Sequence, residues 1–269
     1  MTRINSLFSR LREEGAPALI AYITAGDPSL DRTPAMVAAL ERGGVDLIEL
    51  GVPFSDPIAD GPVIQRASER ALKAGTTLPS VLEIAAKIRE TSQIPLLLFT
   101  YLNPVLRYGI EKLAKHAAAH GIDGCLLTDL SVEEAEKYLN VMRENNLDTV
   151  FLAAPTSSER RMRLVAQYST GFIYLVSRTG VTGEQASVSD LVGPLVKAMR
   201  DVSSLPLAVG FGIATADHAE QVGAIADGVV VGSAIVRAVE KYGASSELES
   251  KLEALARELK SGLMKVKKK

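Results

Sequence analysis

Eight continuous apolar runs recur along this 269-residue chain, separated by segments with the periodicity of amphipathic helices. Uninterrupted runs of this kind are typical of strands buried on both faces of a sheet. Because strand and helix alternate from end to end, the pattern predicts parallel strands joined by right-handed crossovers. The apolar runs span residues 17–24, 45–52, 94–102, 122–129, 148–155, 171–177, 205–212 and 227–234.

The number of strand-helix units narrows the architecture further. Eight units close a TIM-type (β/α)8 barrel, whose usual length is about 250 residues, and an open doubly wound sheet is the alternative. No linker, low-complexity tract or change of composition divides the chain, so we expect a single α/β barrel domain over residues 1–269. We also expect an extra amphipathic N-terminal helix over residues 1–14 and a disordered basic tail over residues 262–269, which end in KVKKK.

The charge balance disfavours several classes of partner. Lys and Arg total 30 against 32 Asp and Glu, a net charge of −2, so no field of one sign attracts nucleic acid or an anionic membrane. No apolar run approaches the roughly 18 residues of a membrane span, and the N-terminal segment lacks an uncharged signal-peptide core. We therefore expect a soluble cytoplasmic protein. Its single cysteine, Cys125, lies in an apolar stretch typical of a buried, unreactive thiol.

One acidic residue, Glu49, interrupts the second apolar run. An ionised carboxylate in an apolar setting is unfavourable unless it is paired or its pKa rises. If Leu47 and Glu49 share one face of the strand, Glu49 points into the barrel or its mouth while Ile48 and Leu50 face the surrounding helices. The other strands offer few cations as partners, so we interpret Glu49 as a catalytic acid or base rather than a structural ion pair.

A second carboxylate, Asp60, follows in a loop restrained by Pro53, Pro57 and Pro62. In a barrel, the loops after the strands form the active-site face, so this loop could hold a carboxylate over the mouth. An ordinary turn or helix-capping aspartate fits the same context, and more so for Asp56. Spacing alone leaves both interpretations of Asp60 open.

The last two runs end in glycine-containing turns that lead directly into helices, GFGIAT at 210–215 and VVVGSAI at 229–235. Glycine lets the backbone approach an anion, and free N–H groups at a helix N-terminus bind phosphate. The loops after strands seven and eight are common phosphate sites in barrels. The sequence therefore predicts a phosphate site here, while the polar stretch 177–185 is either a surface loop or a lid over the substrate.

Metal and nucleophile chemistry receive little support from the sequence. His116 and His120 have helical spacing, but no HExxH pattern completes a metal site, and outer barrel helices lie far from the mouth. Walker, GxSxG and paired CxxC motifs are also absent from the sequence.

The run from Ile48 to Gly61, IELGVPFSDPIADG, resembles the signature of the tryptophan synthase alpha chain family. SRTGVTG at 177–183 and GFGI at 210–213, followed by VGSAIV at 231–236, resemble further motifs of that family in the expected order. The similarity extends from TAGDP at 24–28 to the last helix. The resemblance implies an eight-stranded barrel with an extra N-terminal helix. It also implies a lyase that cleaves indole-3-glycerol phosphate to indole and D-glyceraldehyde 3-phosphate in L-tryptophan biosynthesis.

The resemblance also implies roles for individual residues. Glu49 is expected to be the acid-base group beside the indole ring, and Asp60 the carboxylate that stabilises positive charge at the ring N–H. Position 22 departs from the phenylalanine that the family often carries. The residues implied to bind substrate are Tyr22, Phe99, Leu126, Tyr174, Thr182, Gly183, Phe211, Gly212, Gly232 and Ser233, with Thr182 bonded to Asp60 and the glycines and Ser233 on the phosphate.

The same resemblance implies a partner chain and a division of cofactors between the two chains. Members of the family usually work with a pyridoxal-phosphate-dependent beta chain in an α2β2 heterotetramer, with Asp56 and Asn103 as expected contacts. The alpha chain itself is expected to need no metal or organic cofactor. Two alternatives stay open on the sequence: a catalytically silent barrel that regulates a partner enzyme, and another sugar-phosphate-binding barrel enzyme.

Overall fold

The computed structural model describes residues 2–176, 188–210 and 212–266, and omits the side chains of residues 188–191. The strands are β1 Ala18–Thr24, β2 Leu47–Gly51, β3 Leu96–Thr100, β4 Gly124–Leu127, β5 Asp148–Thr149, β6 Leu152–Ala153, β7 Ile173–Val176, β8 Leu207–Gly210 and β9 Gly228–Val231. The helices are α1 Arg3–Glu14, α2 Thr33–Arg42, α3 Pro62–Lys73, α4 Leu78–Arg89, α5 Leu102–Tyr108, α6 Ile110–Ala119, α7 Glu136–Glu144, α8 Glu159–Tyr168, α9 Val188–Arg200, α10 Ala216–Gly223, α11 Ser233–Tyr242 and α12 Leu248–Leu263. A 3₁₀ turn covers Val132–Glu134.

All described strand pairs are parallel, in the order β5-β4-β3-β2-β1-β9-β8-β7-β6. The two edge strands, β5 and β6, are consecutive pieces of the single fifth strand that the sequence predicts at 148–155. Between them, the Val150 N–H donates to the Cys125 carbonyl at 3.3 Å, and the Tyr174 N–H donates to the Phe151 carbonyl at 3.1 Å. Chain continuity through this segment closes the sheet, which confirms the expected barrel.

Two apolar layers follow from the period of two along each strand. Alternate residues such as Ile48 and Leu50 pack against the helices in the outer layer. Leu47, Leu97 and Leu126 belong to the inner layer, which fills the barrel together with one face of α1. As expected, Leu47 faces the barrel interior, whereas Ile48 and Leu50 face the surrounding helices. Glu49, two residues after Leu47, therefore belongs to the inner face.

Helix α1 closes one end of the barrel. Its expected apolar stripe, Ile4, Leu7, Phe8 and Leu11, is buried, and the Phe8 and Phe172 rings lie 5.6 Å apart. Thr2 caps the helix by accepting from the Asn5 N–H and also hydrogen-bonds Asp148, at the start of β5. Because α1 packs below the strand starts, the opposite end of the barrel is left for the active site.

The prediction of a disordered tail that starts at residue 262 is wrong at its first residues. Gly262 and Leu263 belong to α12 and are buried, because Leu263 continues the apolar stripe of Leu252 and Leu259. A β-carbon on Gly262 would lie 2.0 Å from the carbonyl oxygen of Ala216, so α12 packs directly on α10 at this point. Lys265 then pairs with Glu220 at 3.0 Å. Residues 267–269 lie outside the described part.

Two smaller predictions can also be compared with the fold. Cys125 is buried as expected, and burial raises the pKa of its thiol to about 12, so the thiol is protonated at neutral pH. Among the described residues, no helix is long and apolar enough to span a membrane.

Candidate active site

Glu49 lies on β2 and points into the barrel at the level of Tyr22, its register partner on β1. Its side chain is fully buried, and neither carboxylate oxygen has a hydrogen-bond partner within the described ranges. Burial raises the pKa of Glu49 to about 8, because the charged form loses its hydration. Glu49 is therefore mostly protonated at neutral pH and can donate a proton.

Asp60 reaches the same site from the loop after β2. The Tyr101 hydroxyl donates to Oδ2 of Asp60 at 2.9 Å and accepts from the Ala59 N–H at 3.1 Å. Partial burial raises the pKa of Asp60 to about 6, and the Tyr101 hydrogen bond opposes this rise. Asp60 is consequently ionised at neutral pH, in contrast to Glu49.

Two buried tyrosines lie on the barrel strands, Tyr22 on β1 in register with Glu49 and Tyr174 on β7. Burial is the main cause that raises the pKa of both Tyr22 and Tyr174, and the nearby charges of Asp60 and Glu49 raise both further. The phenols are neutral at physiological pH and can serve only as neutral hydrogen-bonding groups.

Small residues on neighbouring strands make room for the two rings. A β-carbon on Gly51 would lie 2.3 Å from the Tyr22 hydroxyl, and one on Gly210 would lie 2.3 Å from the Tyr174 hydroxyl. The Tyr22 hydroxyl is 3.3 Å from Oγ1 of Thr24, and its ring meets the Phe99 ring edge-on at 5.1 Å. The hydroxyl at position 22 is thus accommodated by a glycine rather than by a displaced ring.

The glycine turns after β8 and β9 lie on the same end of the barrel as these side chains. Gly212 has a φ of +48°, a left-handed conformation that favours glycine. Gly232 is the N-cap residue of α11, and Ser233 begins that helix, so the first N–H groups of α11 are free of intrahelical bonds. A β-carbon on Gly232 would lie 3.6 Å from Cβ of Tyr22 and 3.8 Å from Cδ1 of Ile64. The free N–H groups at this helix terminus therefore lie beside Tyr22.

The comparisons with known proteins agree on one family. Residues 8–264 match the family model described as "Tryptophan synthase alpha chain". A tryptophan synthase alpha chain from Solibacter usitatus is 67% identical over 262 residues, covering 97% of this chain and 98% of that one. One from Geotalea uraniireducens is 50% identical over 266 residues, covering 99% of each chain. A solved tryptophan synthase subunit alpha from Legionella pneumophila has a TM-score of 0.92 at 36% identity, over 99% of this chain and 100% of that one.

The chain belongs to the tryptophan synthase alpha chain family. As such an alpha chain, it is a carbon–carbon lyase that cleaves indole-3-glycerol phosphate in tryptophan biosynthesis, and it works with a beta chain. The fold and activity that the resemblance implied are confirmed. Of the two alternatives, family membership disfavours another type of sugar-phosphate barrel.

The residues expected to bind substrate lie partly within and partly outside the described part of the chain. Leu126 pairs in register with Phe99, both belong to the inner face, and Phe99 packs against Tyr22. The expected roles of Thr182, Gly183 and Phe211 concern residues outside the described part of the chain. Asp56 and Asn103 are both exposed, as partner contacts need to be.

The sequence interpretation missed Tyr101, which connects the loop after β2 to the end of β3. Tyr101 directly follows Thr100, the last residue of β3, and its ring packs 5.2 Å from Phe54. Its position just after a strand is only a weak signal: polar groups there face the active site of a barrel, but nothing local to Tyr101 assigns it a partner. Gln65 also supports this loop, since its Nε2 donates to the Asp60 carbonyl at 2.9 Å.

The histidines do not form a metal site. Nδ1 of His116 is 2.6 Å from the Tyr108 hydroxyl, and Nδ1 of His120 is 2.6 Å from the His116 carbonyl. Among the described residues, no three His, Cys, Asp or Glu side chains are grouped so that they could hold a metal ion.

Proposed function

We propose that Glu49 is the acid-base residue and Asp60 the charge-stabilising residue of indole-3-glycerol phosphate cleavage in this chain. The observation that carries the proposal is a fully buried carboxyl group on the inner face with no hydrogen-bond partner among the described residues. A neutral carboxylic acid held in this way is ready to donate a proton to an apolar ring.

The chemistry begins with proton transfer from Glu49 to C3 of the indole ring. The ring then carries a positive charge at its nitrogen, and the resulting Glu49 carboxylate takes the proton of the hydroxyl on the adjacent side-chain carbon. That oxygen forms the aldehyde as the bond from C3 to the side chain breaks, and the bonding electrons return to the ring. Glu49 regains its proton, and the products are indole and D-glyceraldehyde 3-phosphate.

Asp60 acts on the other side of the ring in this proposal. Its ionised carboxylate accepts the ring N–H and stabilises the positive charge that develops when C3 is protonated, a charge absent from the ground state. The hydrogen bond from Tyr101 keeps Asp60 ionised and oriented, and Thr182 is proposed as a second donor to it. Tyr174 is proposed to orient Glu49.

The phosphate of the substrate is proposed to bind at the N-terminus of α11. The free N–H groups at Gly232 and Ser233 favour an anion there, and Gly212 contributes a further backbone N–H. Gly183 is proposed to complete this set. The residues proposed to line the ring and the chain between the two ends are Tyr22, Phe99, Leu126 and Phe211.

The beta chain is proposed to dock beside the Asp60 loop in an α2β2 heterotetramer, with Asp56 and Asn103 as contacts. An apolar groove lies next to these residues, and its lining includes Pro53, Phe54, Leu72, Pro104 and Tyr108. Two large hydrophobic side chains are exposed nearby: Ile58, in the same loop as Asp56, at 85%, and Leu106, on α5 with Asn103, at 56%.

Cofactor use is proposed to be divided between the two chains. The alpha chain performs its cleavage by acid-base and electrostatic catalysis without a cofactor of its own, and pyridoxal phosphate belongs to the beta partner. The cytoplasmic location expected from the sequence stays a prediction.

Two variants test the roles of the carboxyl groups. Glu49→Gln keeps the size and neutrality of the side chain but cannot transfer a proton, so indole release is expected to fall by about 10³-fold or more. Asp60→Asn is expected to lower kcat by about 10²-fold with little change in KM, because it removes an interaction made mainly in the transition state. Indole release from indole-3-glycerol phosphate measures both effects.

The outcomes separate the proposal from its alternative. Substantial indole formation by Glu49→Gln would show that another group transfers the proton. If the unaltered chain releases no indole, alone or with its beta chain, the catalytically silent barrel is correct instead. A change in KM alone for Asp60→Asn would give Asp60 a role in uniform binding.

A further inference from the structure

The segment TAGDP contributes no group to the reaction, yet it contains a buried charge. Asp27, in the loop of residues 25–32 between β1 and α2, is only 2% exposed. Its carboxylate accepts two hydrogen bonds from Arg70 on α3, Nε to Oδ1 at 2.8 Å and Nη2 to Oδ2 at 2.7 Å. This fork geometry fixes the direction of the guanidinium as well as its position.

Arg70 extends this contact to a third element. Its Nη1 donates to Oε1 of Glu240 on α11 at 3.1 Å, and Glu240 also accepts from Arg66 on α3 at 2.7 and 3.0 Å. We call Asp27, Arg70 and Glu240 the Arg70 bridge. It connects the β1–α2 loop, α3 and α11 through one guanidinium.

The two helices joined by this bridge begin at the two ends of the proposed substrate site. Helix α3 begins at Pro62, two residues after Asp60, and α11 begins at Ser233. Arg70 lies eight residues from the start of α3, about 12 Å along the helix axis at 1.5 Å per residue. A helix behaves as a rigid element over this distance, so a contact between α3 and α11 sets the relative position of their N-terminal ends.

The same loop holds α11 at its other end. Nη1 of Arg32 donates to the carbonyls of Gly243 and Ser245 at 3.1 and 3.0 Å, directly after the last turn of α11. Arg32 also forms a fork with Glu249 at the start of α12. The β1–α2 loop therefore restrains α11 both at Glu240 and at its C-terminal end.

We propose that Arg70 is a positioning residue that fixes the separation between Asp60 and the phosphate-binding N-terminus of α11. Cleavage needs the ring at Asp60 and the phosphate at α11 at the same time, and a misplacement of about 1 Å can slow a reaction by about 10²-fold. A ligand that contacts both ends depends on their separation, whereas a ligand that contacts only one end does not. This inference rests on the proposed site at Asp60, Gly232 and Ser233.

The main variant is Arg70→Lys, which keeps the positive charge beside buried Asp27 but cannot form the fork. A double variant, Asp27→Asn with Arg70→Gln, removes both charges so that no unpaired charge stays buried. The matched control is Arg66→Gln, which removes another Arg–Glu240 pair from the same helix and leaves the Arg70 bridge intact.

Isothermal titration calorimetry measures the Kd of two ligands for each variant. Indolepropyl phosphate joins ring and phosphate and spans both ends, and it cannot be cleaved because it lacks the side-chain hydroxyl that forms the aldehyde. Glycerol 3-phosphate reaches only the phosphate end. For Arg70→Lys and the double variant, we expect the Kd of indolepropyl phosphate to rise about tenfold or more. The ring and the phosphate of this ligand can no longer reach their two binding ends at the same time. The Kd of glycerol 3-phosphate is expected to change less than about twofold, and Arg66→Gln to change neither.

Equal weakening of both ligands would overturn the proposal, since it would indicate general loss of structure. Unchanged binding of both ligands would overturn it as well. The unaltered chain provides a separate test of the site itself. If it fails to bind indolepropyl phosphate or to cleave indole-3-glycerol phosphate, the proposed function is wrong, whatever the Arg70 variants show.

Discussion

At the scale of single residues, the site contains two carboxyl groups with different pKa values and different surroundings. Glu49 is fully buried and has no hydrogen-bond partner in the described part of the chain, and burial raises its pKa to about 8. Asp60 is only partly enclosed and accepts a hydrogen bond from Tyr101, so its pKa rises only to about 6. Between these values one group is an acid and the other an anion, which are the states that the proposed reaction needs.

Tyr101→Phe tests the contribution of one hydrogen bond to the state of Asp60. The bond favours the charged carboxylate, so its loss should raise the pKa of Asp60 and move the acidic limb of the kcat/KM profile to higher pH. We expect a shift of about half to one pH unit, since a hydrogen bond to a charged group contributes about 1 kcal/mol or more.

The matched control for this shift is Tyr108→Phe. The Tyr108 hydroxyl bonds His116 instead of Asp60, so its removal should leave the profile in place. The phosphate of the substrate titrates in the same pH range, but equally for every variant, so the difference between variants reports Asp60. An unshifted acidic limb in Tyr101→Phe would mean that Asp60 does not control it.

Sequence patterns could predict Glu49 but not Tyr101, and the reason is physical. A single acid within an apolar run conflicts with its local surroundings, so the conflict is visible without any tertiary contact. The hydrogen bond from Tyr101 to Asp60 joins residues 41 positions apart and exists only because β2 and β3 are neighbours. Nothing local to Tyr101 distinguishes it from a tyrosine that ends a strand by chance.

At the scale of elements, helix α1 seals the barrel by placing an apolar stripe against the inner layer. Its stripe was predictable from spacing because the helix is amphipathic by itself. The C-terminal boundary of α12 was not predictable from spacing. Glycine usually disfavours a helix, and only the close packing of Gly262 on Ala216 explains its place in α12. The fifth strand also appears as two short pieces, a division that its continuous apolar run does not reveal.

Phe8→Ala tests the sealing role of α1. Phe8 is buried against Phe172, so its loss should lower the free energy of unfolding by about 3 kcal/mol. Ser9→Ala, an exposed change on the same helix, should have almost no effect. Urea unfolding measures both variants, and a Phe8→Ala effect no larger than that of Ser9→Ala would show that α1 does not contribute to the core.

At the scale of the whole molecule, an apolar groove lies beside the loop that carries Asp60. The apolar groove is lined by Phe54 and Pro104, and exposed apolar side chains lie in the loop after β2 and on α5. Because the Asp60 loop borders this groove, a beta chain bound there would contact the loop that carries a proposed catalytic group. Partner binding and the order of the active site are therefore expected to be coupled.

Leu106→Ser tests this docking face. Leu106 is 56% exposed on α5 and is expected to become buried against the beta chain, so the substitution should weaken beta-chain binding about tenfold. Indole release by the isolated alpha chain should not change. Met264→Ser is the control, because Met264 is 75% exposed just after α12, away from the groove. Equal beta-chain affinity for both variants would exclude the groove as the docking face.

The most direct test of the central claim is the pH dependence of kcat/KM for indole release by the isolated chain, since this ratio reports the free enzyme. A Glu49 carboxyl with a pKa of about 8 must be protonated to act on C3, so kcat/KM should fall as pH rises through about 8. With Asp60 ionised above about 6, the profile should be bell-shaped with its maximum near neutral pH. A value of kcat/KM that stays constant or continues to rise between pH 7 and 9.5 would contradict the assignment of Glu49 as the proton donor.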